Sequence, residues 1–338
     1  MTTQPLSIII LAAGKGTRMK SDKAKVLHEL FYAPMVHHVI QATLPLLPAQ
    51  TVVIVGHQKE AVKNALISFD VSYVTQEEQL GTGHAVHVAE KNIIEDANTV
   101  MILCGDTPLV KADTLQEMFS FHRRQGSAVT VMTTILDQPT NYGRIICDSH
   151  STVQAIVEQK DATELQQQIK EINAGIYCVR KDFLFSALKK VGTNNSQSEI
   201  YLTDIVKIAV ESGLVVEKFM VHTPLDVLGV NSRVELADAQ KELQLRRNRI
   251  LMNQGITMNN PETISVSPDS FIDRDTTLEQ SVNISATSRI GQSCRIGQGV
   301  ILKNCQIGDN AVIGPYSCLV DCTVEPEKIL APFSDGCS

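Results

Sequence analysis

Glycines and cations crowd together near the amino end: Gly14, Lys15, Gly16, Arg18 and, a little further on, Lys25. Glycine tolerates positive φ and close backbone approach, so successive N–H groups in Leu11–Met19 can converge on an anion while the cations add charge-assisted contacts. Lys25, within Asp22–Leu27, can return from the next segment to touch the same group. The chemistry this suits is the binding and polarising of phosphates. Two familiar phosphate loops are excluded, because a dinucleotide fingerprint needs glycine where Met19 stands and a Walker loop needs Gly-Lys followed by Ser or Thr. On these residues alone a tight turn after a buried strand remains an equal alternative. The histidine pairs His37/His38 and His84/His87 lack a third ligand and read as polar helix faces. The eight cysteines form no Cys-x-x-Cys pair and read mostly as small, reduced packing residues, Cys318 and Cys322 included.

Such a loop needs a rigid strand to hang from, and Ser7–Leu11 supplies one. Apolar β-branched runs at Ser7–Leu11, Thr51–Val55, Val71–Val74 and Thr99–Leu103 alternate with helical patterns near Pro34–Leu44, Lys59–Ile67, His84–Asn92 and Asp113–Gln125. This predicts a doubly wound, mostly parallel α/β sheet, with ligands beyond the carboxyl ends of its strands, where the Gly14 loop and Gly105-Asp106 both fall. Arg144–Cys147, Val153–Val157 and Gly175–Val179 read as an antiparallel lid or wall. Asp204–Glu211 reads as a helix, Val215–His222 as a strand and Asn231–Asn253 as a long connecting helix.

Beyond Pro261 the period changes. Apolar residues recur at Ile272, Leu278, Ile284, Ile290, Ile296, Ile301, Ile307, Ile313 and Leu319, with a single five-residue step at Ile301 and with Gly291, Gly297, Gly308 and Gly314 following their isoleucines. This is a hexapeptide solenoid of about three coils. The 338 residues suffice for two domains, and 43 % hydrophobic with 20 % charged residues is ordinary globular composition. A net charge of −7 argues against a nucleic-acid binder or an anionic-membrane binder. The amino end has neither a signal-peptide pattern nor a membrane span, so no membrane insertion and a cytoplasmic location are expected.

The ordered set Leu11–Met19, Lys25–Leu27, Gln76–Ala85, Gly105–Leu109, Tyr142–Ile145, Ile156–Ala162, Glu171–Gly175 and Gly229–Arg233 closely resembles the bacterial N-acetylglucosamine-1-phosphate uridylyltransferases. The resemblance implies a Rossmann-like nucleotidyltransferase domain at 1–230, a helical linker at 231–260 and a short left-handed parallel β-helix at 261–338. It implies that UTP and N-acetylglucosamine 1-phosphate are joined with loss of diphosphate, that Mg²⁺ is held by Asp106 and Asn231, and that Lys25 and Arg18 are the catalytic cations. Around the nucleotide it places Leu11, Ala12, Ala13, Gly14, Gln76, Gly81, Thr82, Cys104 and Gly105. Gly143, Glu158 and Asn173 are carried over to the sugar. Apart from the resemblance, Asp106 is a strand-end turn residue, Asn231 a helix N-cap and Gly81-Thr82-Gly83 a helix start.

Two positions depart from the family: Cys104 stands where a tyrosine is common, and Ala174 where a threonine is. The acetyl-transfer residues of the family would follow Ser338, so acetyl transfer is not expected of this chain. The resemblance also implies a homotrimer through the coils. Two other readings stand beside it, a nucleotidyltransferase for another sugar 1-phosphate and a non-catalytic nucleotide-sugar-binding assembly subunit.

Overall fold

The computed structural model describes residues 5–336, which divide into two compact units, 5–29 with 33–233 and 30–32 with 234–336. In the first unit β1 (Leu6–Ala12), β2 (Gln50–Val55), β3 (Ser72–Thr75) and β4 (Thr99–Cys104) alternate with α1 (Met35–Thr43), α2 (Lys59–Ala65), α3 (Thr82–His87) and α4 (Ala112–Gln125). After them come β5 (Val129–Ile135), β6 (Arg144–Cys147), β7 (Val153–Val157), α5 (Glu164–Gln167), β8 (Glu171–Arg180), α6 (Lys181–Leu188), α7 (Asp204–Glu211) and β9 (Val216–Met220). The main sheet runs β9-β5-β8-β4-β1-β2-β3, with β6 and β7 attached to one end of β8.

β1 lies parallel to both β2 and β4. Its Ile8, Ile9 and Ile10 are fully buried, because helices cover both faces of the sheet and a central parallel strand meets water on neither. Two apolar clusters result, one holding Ile9, Val52 and Ile102, the other Ile8, Ile10 and Met101. The alternation expected for a doubly wound sheet is therefore present. The expected lid is not, in its third strand: β8 is inserted antiparallel between β4 and β5, inside the main sheet. Only β6 and β7 stand out as a wall. The apolar run Ala174–Val179 within β8 fits this placement, since both its faces are covered. Helix α3 is also shorter than expected, with Glu90–Asn92 forming a separate 3₁₀ turn.

In the second unit α8 (Arg233–Asn253) leads into short parallel strands arranged as three sheets of five, four and four strands. Asn248, fully buried in α8, donates to the carbonyls of Pro261 and Ile264 at 2.7 and 2.8 Å and so fixes the first coil against the helix. The ladder Val266, Ile284, Leu302, Leu319 stacks apolar side chains in register through successive coils. The inward residue is thus Leu302, while Ile301 points outward and is 44 % exposed. The five-residue step falls one step later than the sequence suggests, between Leu302 and Ile307, and a second follows between Leu319 and Val324, at the corners where Asn304 and Asp321 adopt φ values of 53° and 54°. The coils exceed the three expected because Thr257–Met258 and Ser265–Val266 already belong to the first one. Cys294 and Cys305 are buried free thiols at corners, as packing residues should be, whereas Cys322 is disulfide-bonded.

Leu302→Ala, which opens a hole in the middle of that ladder, is expected to destabilise the coiled unit by about 2–5 kcal/mol; denaturant unfolding followed by circular dichroism measures it.

Candidate active site

β1 and β4 end side by side, with Leu11 opposite Cys104, so the segments that follow them are delivered to one edge of the sheet. Gly105 N–H donates to the Leu11 carbonyl at 2.9 Å, drawing the Asp106 turn against the Gly14 loop. A third segment joins through Val230, whose N–H donates to the Asp106 carbonyl at 2.8 Å. Next to it, Asn231 is oriented by its own Nδ2, which donates to Gly229 O at 2.9 Å.

The Lys25 ammonium donates to Asp106 Oδ2 and, at 2.7 Å, to Asn231 Oδ1, while Arg18 Nη2 donates to that same oxygen at 2.8 Å. A carboxylate and an amide oxygen from distant segments therefore share one cation. Two protein oxygens are the share that Mg²⁺ takes from a protein when phosphates and water complete its shell, so these residues fit such an ion. Gly16 adopts a φ of 63°, and a Cβ there would lie 2.5 Å from Lys25 Cβ, so only glycine lets the lysine through. Gly14 differs from expectation: its φ lies outside the left-handed region, and a Cβ on it would meet open space.

Opposite β2, Gln76 closes the end of β3 through its N–H to Val55 O at 2.8 Å. Its Nε2 donates to Gly81 O and to His84 Nδ1, each at 3.1 Å. The carbonyl of Gly81 accepts only, which fixes the amide orientation and makes His84 Nδ1 the unprotonated ring nitrogen. His84 thus orients Gln76 and is more than a polar helix face. Gly81 has a φ of 109°, and a Cβ there would approach Ile200 O to 2.6 Å. The Gly81-Thr82-Gly83 run both starts α3 and is pinned to 200–202, with Leu202 N–H donating to Thr82 Oγ1 at 3.1 Å.

One cleft of about 400 Å³ is lined by Leu11, Ala12, Ala13, Gly14, Arg18, Lys25, Gln76, Gly81, Thr82, Cys104, Asp106 and Asn231. Gly105 precedes Asp106 at its edge, where a Cβ would press on Leu11 O and Val26 Cγ1 at 3.1 and 3.2 Å. Gln79 and Glu199 also line it, and Gln79 Nε2 donates to Ala13 O at 2.7 Å. Gln79 sits within the Gln76–Ala85 segment, so the sequence points to its neighbourhood; Glu199 lies in an irregular stretch with no motif around it.

Gly143, Glu158 and Asn173 do not line that cleft and gather beside one another elsewhere in the unit. Arg144 pairs with Val157 on one side and Ile172 on the other. The next cross-strand row is therefore Glu158, Gly143, Asn173, with Asn173 N–H donating to Gly143 O at 2.9 Å. The two groups meet where Cys104 Sγ approaches Gly175 O at 3.6 Å. Buried Tyr177 sits among Glu158, Cys104 and Asn173; in the sequence it was indistinguishable from a core strand residue. Burial pushes the Glu158 carboxyl above its ordinary range, partly offset by Thr203 Oγ1 donating to Oε1 at 3.3 Å. Burial, with Asp106 nearby, pushes the Cys104 thiol up to about 12, so it stays protonated and un-nucleophilic.

Residues 8–172 match the MobA-like NTP transferase domain family, and residues 287–320 match the bacterial transferase hexapeptide family of six repeats. The chain is 51 % identical over 324 residues to the bifunctional protein GlmU of Desulfotalea psychrophila, covering 96 % of each. It is 41 % identical over 322 residues to the GlmU protein of an Exiguobacterium species, covering 95 % of this chain and 67 % of that one. Among solved structures, a UDP-glucose pyrophosphorylase complexed with UDP-glucose superposes with a TM-score of 0.56 at 18 % identity, over 72 % of this chain and all of that one. At that identity the likeness speaks for the fold alone. No helix among the described residues is long and apolar enough to cross a membrane.

Gly16→Ala should displace Lys25 and weaken binding of inorganic tripolyphosphate at least about tenfold, measured by calorimetry. A second expectation concerns pH. The Glu158 carboxyl is raised in the folded state above its unfolded value of about 4.3, so stability is lost as pH climbs from the unfolded value through the folded one. Glu158→Gln removes that loss, and should melt above the parent at about pH 7.5 with the gap closing towards about pH 4; parallel melting curves for the two would contradict it.

Proposed function

This chain belongs to the GlmU family of nucleotidyltransferases, and from that premise we propose that it transfers uridylyl from UTP to N-acetylglucosamine 1-phosphate, releasing diphosphate. The observation that carries the proposal is the convergence of Lys25, Arg18, Asp106 and Asn231 in the cleft that Gln76 also lines. The attacking group, a sugar phosphate oxygen, is already anionic, so no general base is needed. A new bond forms from that oxygen to the α-phosphorus of UTP, the bond to the bridging oxygen breaks, and diphosphate leaves. The protein's part is to hold the two phosphates in line and to neutralise the charge on them.

We assign that neutralisation to Lys25 and Arg18, with the backbone of Leu11, Ala12, Ala13 and Gly14 along the nucleotide. Enzymes of this family use a divalent cation, which we take to be Mg²⁺ held by Asp106 and Asn231. When bound it supplies Lewis-acid withdrawal of phosphate charge. Both Nε2 hydrogens of Gln76 are committed within the protein, so its amide offers a base an acceptor oxygen, which suits the ring N–H of uracil and opposes cytosine. Gly81 and Thr82 bring backbone close to the nucleotide. The row Gly143, Glu158, Asn173 presents a backbone group, a carboxyl and an amide to the sugar and its N-acetyl arm, next to Cys104.

Three further parts belong to the same reading: the domain limits 1–230, 231–260 and 261–338, assembly of three copies through the hexapeptide coils, and a cytoplasmic site of action, where nucleoside triphosphates are made available. The relatives are named bifunctional, so nothing supports the expectation that acetyl transfer is missing here, and it is not part of the proposal.

The test is diphosphate release with UTP and a panel of N-acetylglucosamine, glucosamine, glucose and N-acetylgalactosamine 1-phosphates. N-acetylglucosamine 1-phosphate should be preferred, and EDTA should abolish turnover, with Mg²⁺ restoring it. Lys25→Ala should lower kcat by about 10²–10³-fold, the usual loss of one preorganised cationic donor, and Asp106→Ala should abolish the Mg²⁺ response. Near-parent rates in either variant would overturn the assignment.

A further inference from the structure

Arg144 is among the largest fully buried side chains of the chain, 2 % exposed, and it pairs with no carboxylate among the described residues. A guanidinium taken out of water without a counter-charge is costly, and an apolar residue of similar volume would stabilise a purely structural position better. What Arg144 does instead is reach three segments at once. Nη1 donates to the Tyr142 carbonyl, and Nη2 to Gln159 Oε1 at 2.6 Å and to the Gln167 carbonyl at 3.4 Å. Its Nε is left without a partner, so the fork is held for the sake of its two ends.

Those segments border the row Glu158, Gly143, Asn173. Arg144 lies one residue after Gly143, opposite Val157 and Ile172, which are themselves one residue from Glu158 and Asn173. Neighbouring residues on a strand face opposite sides of the sheet, so the guanidinium lies behind the row that we assign to the sugar. Tyr142 directly precedes Gly143 and Gln159 directly follows Glu158. Tying Tyr142 to Gln159 therefore closes the two strands behind the row and sets the spacing between the Gly143 backbone and the Glu158 carboxyl. A Cβ at Gly143 would lie 2.9 Å from Ile156 Cγ2, two residues before Glu158 on the facing strand, and in contact with Glu158 Oε2 at 3.5 Å, so the two strands leave little room for a side chain at this row.

We propose that Arg144 is a positioning residue for the sugar 1-phosphate: it fixes the separation of Gly143 and Glu158 without touching the substrate. The proposal rests on the uridylyl-transfer reading. A planar fork is required, because a lysine ammonium cannot reach separated acceptors in one plane.

The experiment is steady-state kinetics of the full chain with each substrate varied in turn, for the parent, Arg144→Lys and Gln159→Leu. Arg144→Lys should raise KM for N-acetylglucosamine 1-phosphate about tenfold, and Gln159→Leu about threefold, with KM for UTP within about twofold of the parent. A structural role alone would move both KM values together or lower only the melting temperature, and either result overturns the proposal, as does a kinetically silent pair of variants. Should Arg144→Lys fail to fold, Gln159→Leu decides by the same criterion. If the parent turns over no sugar 1-phosphate with UTP, the uridylyl-transfer reading itself fails, and this proposal with it.

Discussion

One ammonium group shared by two oxygens organises the end of the cleft beside the Gly14 loop. Lys25 bridges Asp106 and Asn231, and through them joins the turn after β4, the loop before α8 and the glycine loop after β1. These segments are far apart in the chain; the parallel pairing of β1 with β4 carries the loop after β1 and the turn after β4 to the same sheet edge, and the Val230 N–H bond to the Asp106 carbonyl adds the loop before α8. The side chains are mostly withdrawn from water, 12 % and 22 % exposed for Lys25 and Asp106, so their attraction is less screened than that of a surface pair. Asn231, being neutral, adds an acceptor without adding charge, which leaves room for the anionic groups the site is proposed to receive.

Two electrostatic regimes adjoin each other in this unit. The end beside the Gly14 loop carries Arg18 and Lys25. Around Glu158 the setting is reversed: burial raises Glu158, Cys104 and Tyr177 alike, so each acid there resists ionising. A phosphate group suits the first region, and uncharged hydroxyls and an amide suit the second. The order of charge along the site thus matches the order of groups in the substrates we propose, and it arises from burial as much as from residue type.

Much of the architecture could be read from the chain because local patterns and tertiary burial agree. β1, β2 and β4 sit where β-branched runs predicted them, and the glycine loop follows β1 as expected. β8 was misjudged because a continuous apolar run is equally compatible with a wall and with the centre of a sheet; its insertion between β4 and β5 is set by partners remote in sequence. The solenoid shows the same limit at finer scale. Ile301 and Leu302 are both apolar, so hydropathy could place the short step on either, and only the register Ile284 to Leu302 to Leu319 resolves it.

The class of each unit, a glycine loop with cations after β1 and the family were legible in the amino-acid sequence, because these depend on short-range spacing: glycines beside cations, alternating runs, and a six-residue period. It took the folded chain to show that Gly16 and not Gly14 must be glycine, that His84 orients Gln76, that Glu158, Gly143 and Asn173 form one row, and that Tyr177 lies beside Glu158 and Asn173. Each of these is a distance between atoms whose residues are set side by side by strand register or by a close backbone approach. A linear pattern carries no information about such distances until the sheet is assembled.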